Sequence, residues 1–208
     1  MTGRKIGLDT LKLLLKEILE DIHQLSQCES VAIRLYKNGD FPYYMHMGFP
    51  EFFILKENTL TVRDQKDKPV LDADGTPFVE CMCGNVLKSR FNLKYPYFTK
   101  SGAFWTNSTT RLLESLTEKE RTEIGKTRNT CHDYGYESVA LIPMHADGKT
   151  IGLIQINDPR ENMFTPRKVD KYQSLADHVG AMIHNLFEFH EKAVGVFNPM
   201  SSLKSIAK

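Results

Sequence analysis

Three cysteines and a histidine fall in two short stretches of this chain: Cys81 and Cys83 in VECMCGNVLKSR, and Cys131 beside His132 in TRNTCHDYGYESVALIP. Thiolate sulfur and imidazole nitrogen are the ligand types that suit zinc, haem iron or an iron–sulfur centre. Two or three of these thiolates with His132 would make a zinc or iron–sulfur site, and one cysteine or His132 alone would serve haem. The spacing is not that of a zinc finger, whose paired ligands are usually about two to four residues apart. Only Met82 separates Cys81 from Cys83, and Cys131 adjoins His132. On a regular helix, residues two apart point about 200° away from each other. Cys81 and Cys83 therefore converge only if a helix starts after them, near Gly84. Without metal, the same residues are either redox thiols or small buried apolar side chains, and Cys28 is read simply as core.

A second group is polar. FWTNSTT supplies Trp105, Asn107, Ser108, Thr109 and Thr110, and the later stretch adds Arg128, Asn129, Tyr136 and Glu137. Hydroxyls and an amide following a strand, with an arginine from the next segment, can hold a carboxylate or another anion through directed, charge-assisted hydrogen bonds. The competing use is structural: Ser, Thr and Asn cap backbone groups, Arg128 pairs with Glu137, and Trp105 and Tyr136 serve as wall or core. No supported Ser-His-Asp arrangement, GxxxxGK or HExxH accompanies them, which favours a binding domain over an enzyme.

Composition bounds the partners. Lys and Arg number 27 against 26 Asp and Glu, a net charge of +1, so no basic field draws in nucleic acid or an anionic membrane. Neither a spanning segment nor a signal peptide is evident, and the expected location is the cytoplasm, with the four cysteines reduced. A length of 208 residues with 41% hydrophobic content suffices for one core.

The elements that must position these residues follow from periodicity. Leu8, Leu11, Leu15, Ile18, Leu19, Ile22 and Leu25 recur at helical spacing, and SVAIRLYKNGDFPYYMHMGF reads as a hairpin about Asn38-Gly39. Residues 56–77 turn polar and read as an irregular loop, with a short strand at 59–62. VECMCGNVLKSR reads as a short helix, AFWTNSTT as a strand, and LTEKERTEI opens on a Thr117/Glu120 capping box. YESVALIPM and TIGLIQIND flank an Asp-Gly turn and are apolar enough to be central strands. A long helix opens at Thr165-Pro166. The sum is an α+β fold, an antiparallel sheet with helices packed on it.

The span SVALIPMHADGKTIGLIQINDPRENMFTPRKVDKYQSLADHVGAMI resembles the second half of a GAF domain, and with the first helix and hairpin the resemblance covers about residues 8–190. CMCGNVL, FWTNSTTRLL and TRNTCHDYGYESVALIP, in that order, resemble the GAF branch of bacterial and archaeal sensor kinases and regulators. The resemblance implies a sensor that encloses a small ligand or cofactor and relays occupancy through its terminal helices to a histidine kinase or regulator output domain. It also implies a division into an N-terminal helix (1–29), a sensor domain (30–190, closing helix 166–190) and a tail (191–208). Free methionine sulfoxide reductases, GAF proteins that work through thiolates, supply the enzymatic alternative. A ligand-free dimerisation module is a third possibility. The apolar stripes at both ends predict a homodimer built on helices.

Overall fold

The computed structural model of the chain describes residues 2–194, with side chains over 10–186. The expected tail, from 195 onward, lies outside the described residues. Five antiparallel strands form one sheet: β1 (Ser30–Leu35), β2 (Tyr43–Met47), β3 (Phe104–Thr106), β4 (Ser138–Ala146) and β5 (Lys149–Asp158), in the order β2-β1-β5-β4-β3. The two apolar strands expected to be central are so: β5 is the middle strand, with Gln155 opposite both Ala32 and Leu141.

Alternation along the strands divides the core in two, because side chains two apart share a face. Val31, Ile33, Ile142, Ile154 and Ile156 face α1 (Thr2–Ser26) and α7 (Pro166–Val194). Leu11, Leu15, Leu19 and Ile22 of α1 and Val169, Ala176, Val179 and Ile183 of α7 close that side. Each such Leu, Ile or Val withdrawn from water contributes about 1.5–3 kcal/mol before ordering costs. Ala32, Val139, Leu141 and Leu153 face the other way, into a second core with Phe49, Phe53, Cys83 and Val86.

That second face is covered by short elements: α2 (Glu51–Glu57), α3 (Cys81–Leu87), α4 (Thr109–Ser115), α5 (Glu118–Ile124) and α6 (Thr130–Asp133). The Thr117/Glu120 capping box starts α5 as expected. The polar loop is more ordered than its composition suggests, with bridges Thr61–Val79, Arg63–Pro69 and Leu71–Pro77 folding it on itself. Among the described residues no helix is long and apolar enough to cross a membrane.

Candidate functional site

Between the second sheet face and its cover of α3, α4, α5 and α6 lies a cavity of about 80 Å³. Cys81, Cys83, Cys131 and His132 all line it, together with Leu112, Leu113, Leu116, Ile124, Val139 and Leu141. Two segments some fifty residues apart in sequence thus meet across one apolar space.

The helix bearing the first pair starts at Cys81, not after Cys83. Both side chains nevertheless reach the cavity, because Cys81 has φ +69°, outside the helical range, so the angular separation of a regular helix does not apply. Gly84 has a different task from the one its position suggested. A Cβ there would stand 2.3 Å from the Val79 carbonyl oxygen, so glycine permits α3 to lie against the preceding chain.

Across the cavity, Asn129 in the left-handed region turns the chain into the single turn of α6. Thr130 donates to Glu57 Oε1 at 2.9 Å and anchors that turn to α2. Thr109 Oγ1 donates to the Tyr136 carbonyl at 2.8 Å and lies 3.2 Å from His132 Nδ1. A hydroxyl has one proton to give, so in the second contact Nδ1–H is the donor and Thr109 Oγ1 the acceptor. Gln155 Nε2 approaches the Cys131 sulfur at 3.7 Å.

Electrostatics hold the thiols protonated. Burial pushes Cys131 up to about 12, with the Cys81 charge adding to it. Burial likewise raises Cys81, and raises Cys83 well above the ordinary thiol value. Arg34 opposes the shift at Cys83 and Cys131 without cancelling it.

Of Trp105, Asn107, Ser108, Thr109, Arg128, Tyr136 and Glu137, only Thr109 lines the cavity. Trp105 packs on the α1/α7 core, because the neighbouring Phe104 takes the cavity face. Asn107 clamps Phe164 through its carbonyl and N–H, both at 2.9 Å. Ser108 caps α4, and its hydroxyl donates to Glu137, as do the Thr110 hydroxyl and N–H. Burial disfavours the Glu137 charge, yet those hydrogen bonds prevail and hold its carboxyl below the usual range. Tyr136 is buried among Phe49 and Phe53, with its hydroxyl on Ser30. The expected Arg128–Glu137 pair is not formed: Arg128 contacts Glu80 at 2.7 Å and Glu57 at 3.5 Å and donates to the Thr59 carbonyl. Its position in the loop before α6 makes it a bolt for the cavity's cover.

Neither haem nor a joint metal centre fits this arrangement. A space of about 80 Å³ is far below the ~300 Å³ at which ordinary cofactor pockets begin. Among the described residues, no group of three or more His, Cys, Asp or Glu side chains is placed to hold a metal ion.

The site also contains residues that motif reading passes over: Tyr43, Glu57 and Gln155 line the cavity. Fully buried Arg34 stacks 3.5 Å over the Tyr43 ring and donates to the carbonyls of Phe41, Glu57 and Asn58. The available signal was polarity out of place: Arg34 interrupts SVAIRLY, and Gln155 and Asn157, two apart, interrupt TIGLIQIND on one face.

A family model for the GAF domain matches residues 10–183. The chain belongs to the GAF domain family. Solved structures agree on the fold. The GAF domain from a phosphoenolpyruvate-protein phosphotransferase of Coxiella burnetii is similar at 15% identity and TM-score 0.57, covering 90% of this chain and 87% of that one. The blue-light absorbing form of the PixJ GAF domain of Thermosynechococcus elongatus is 12% identical, at TM-score 0.55 over 91% and 93%. The type II free methionine-R-sulfoxide reductase of Thermoplasma acidophilum is 9% identical, at TM-score 0.55 over 86% and 96%. No curated protein matches the chain. At these identities the likeness concerns the fold of this GAF domain alone.

Proposed function

We propose that this GAF domain is a sensor in signal transduction that takes a small, uncharged molecule into the thiol-lined cavity and relays occupancy through α1 and α7 to an output domain or partner protein. The observation that carries the reading is the cavity itself: three thiols and His132, from two distant segments, around one apolar space of about 80 Å³. That is about half the ~150 Å³ of an apolar cavity that accepts benzene, so the occupant has only a few heavy atoms unless the cover moves. The anionic ligand expected from the polar group is not favoured, since Arg128 is spent on Glu57 and Glu80. The relay is short, because β4 and β5 carry cavity residues on one face and the α1/α7 core on the other.

Xenon or a small alkane, titrated into isotope-labelled protein, tests this. Amide shifts are expected first at Cys83, Leu141 and Gln155 and then along α7, and a bulkier side chain at Leu116 should abolish them. No shifts at the cavity face would end the proposal. The neighbouring reductase and the same three thiols favour a second reading, a thiol enzyme acting on a small sulfoxide. Thiols held protonated weigh against it. Turnover of free methionine-R-sulfoxide with dithiothreitol would put this reading first.

A further inference from the structure

We propose a second ligand site at the far end of α3: a cavity of about 450 Å³ that takes a small organic phosphate between Lys88, Lys149 and His145, and bears on the long helix α7 through the His145–Asp177 pair. The site is separate from the thiol-lined cavity and goes beyond the reading given above.

Cys81 and Cys83, in the first turn of α3, line the thiol cavity, whereas Leu87 at its last residue and Lys88 just after it line this one. The remaining walls come from the β1–β2 turn, the polar loop and the β4–β5 turn. They meet closely: a Cβ at Gly39 would stand 2.8 Å from Pro77 Cγ. One wall is apolar, with Phe41 and Leu87 each 4% exposed and the Tyr36 ring set edge-on to Phe41 at 5.4 Å. At about 450 Å³ the space falls within the ~300–1,000 Å³ usual for small-molecule sites, which the thiol cavity does not.

Charge selects the ligand. Two ammonium groups and an imidazole line the cavity against one carboxylate, Asp74. That carboxylate is engaged with its neighbour, Asp74 Oδ1 accepting the Thr76 N–H at 2.9 Å and hydroxyl at 2.6 Å. Lys88 is half-buried and fixed in place, its Nζ donating to Thr76 Oγ1 at 2.5 Å. This contact is to a neutral hydroxyl and leaves two N–H groups of the ammonium for a ligand. Single-point donors from three elements suit a tetrahedral dianion. Planar, bidentate pairing with a carboxylate calls for arginine, and the lining has none.

His145 supplies the route to α7. Its Nδ1 lies 2.9 Å from Asp177 Oδ1, and Gln173 Nε2 donates to that same oxygen at 2.9 Å and to the Pro143 carbonyl at 3.0 Å. The end of β4 is thus tied to α7 at a residue that also lines the cavity, so a phosphate on the imidazole bears directly on the tie.

Phenyl phosphate, titrated into the isotope-labelled full chain at constant ionic strength, tests the site. Saturating amide shifts are expected at Lys88, Gly148, Lys149 and Thr150, and then along α7 from Gln173 to Gly180. Lys88→Met and Lys149→Met, at part-exposed positions, should each weaken binding about tenfold, as expected for the loss of a charged hydrogen-bond donor. Asp177→Asn should remove the α7 shifts while those at Lys149 and Thr150 persist. The bulky Leu116 variant, closed to xenon, should bind phenyl phosphate as the unaltered chain does. Non-saturating shifts spread over surface lysines, or unchanged affinity in both lysine variants, would overturn the site. Phthalate, a dicarboxylate on the same ring, binding as tightly as phenyl phosphate would overturn the ligand class. Undiminished α7 shifts in Asp177→Asn would overturn the relay, and loss of binding in the Leu116 variant would overturn the separateness of the two cavities.

Discussion

Arg128 shows how far a residue's role depends on its partners. Its guanidinium lies between Glu57 and Glu80, whose side chains are 6% and 13% exposed. Arg128→Ala leaves two enclosed carboxylates without their cation, and a loss of about 2–3 kcal/mol is expected by chemical denaturation, somewhat discounted for the part-exposed arginine. An arginine serving only a ligand would leave the midpoint unmoved. Cys131 supplies a pH prediction. It is faced by Cys81 and Cys83 from α3, Glu57 from α2, Arg34 and Tyr43 from the sheet, and Tyr136. Burial first, then Cys81 and Glu57, keep its thiol up at about 12, against the opposing Asn157 hydrogen bond and the weaker pull of Arg34. Iodoacetamide labelling of native protein should therefore rise about tenfold per pH unit between pH 7 and 9, as the thiolate fraction does. A plateau near pH 8 would show an ordinary thiol.

Short elements, more than long ones, close the cavity. The α5 strap is held by its capping box and by Asn85 Nδ2 donating to the Ile124 carbonyl at 2.8 Å. Thr117→Ala removes one cap at an exposed helix start and should cost about 1 kcal/mol. Because Ile124 lines the cavity, Cys131 labelling should quicken in that variant by more than the global stability loss explains. Equal changes in both would mean that the strap does not open separately. In α3 the constraint is steric: Gly84→Ala sets a Cβ 2.3 Å from the Val79 carbonyl oxygen, closer than van der Waals contact. The helix must shift, with an expected loss of about 1–3 kcal/mol in thermal or denaturant unfolding.

At the scale of the molecule, the apolar stripes that predicted a dimer are largely consumed within the chain. Leu11, Leu15, Leu19 and Ile22 of α1 pack on α7 and the sheet, while Leu13 and Leu25 remain exposed at 61% and 70%. Among the described residues of α1, Leu13 and Leu25 are the large apolar side chains left for the proposed helical dimer. Light scattering should return twice the chain mass of 23.8 kDa, and a monomer at high concentration would remove it. Acid should weaken the whole fold. Glu137 and Asp158 both have depressed pKa values, hydrogen bonds overcoming burial in each case. Their stabilisation is complete above the unfolded carboxylate range and is lost as pH falls through the lower folded values, so the midpoint should drop below about pH 4.

The α+β class, the central apolar strands, the capped α5 and the long terminal helices were legible in the sequence, because each rests on local periodicity or on a capping pair a few residues apart. GAF membership was legible too, through the span that closes the domain. The sequence also showed which side chains could do chemistry, but not which of them would share a space. Two-residue alternation sends Trp105 to one core and Phe104 to the other, yet which core encloses the thiols depends on what packs on each face. Arg128 found Glu57 and Glu80 rather than Glu137 because the polar loop folds back on itself, through the Thr61–Val79 bridge, and sets Glu80 beside the guanidinium. Only the tertiary structure decided that Cys81, Cys83 and Cys131 share one cavity: that contact spans about fifty residues, and a left-handed Cys81, which no periodicity announces, turns its thiol inward.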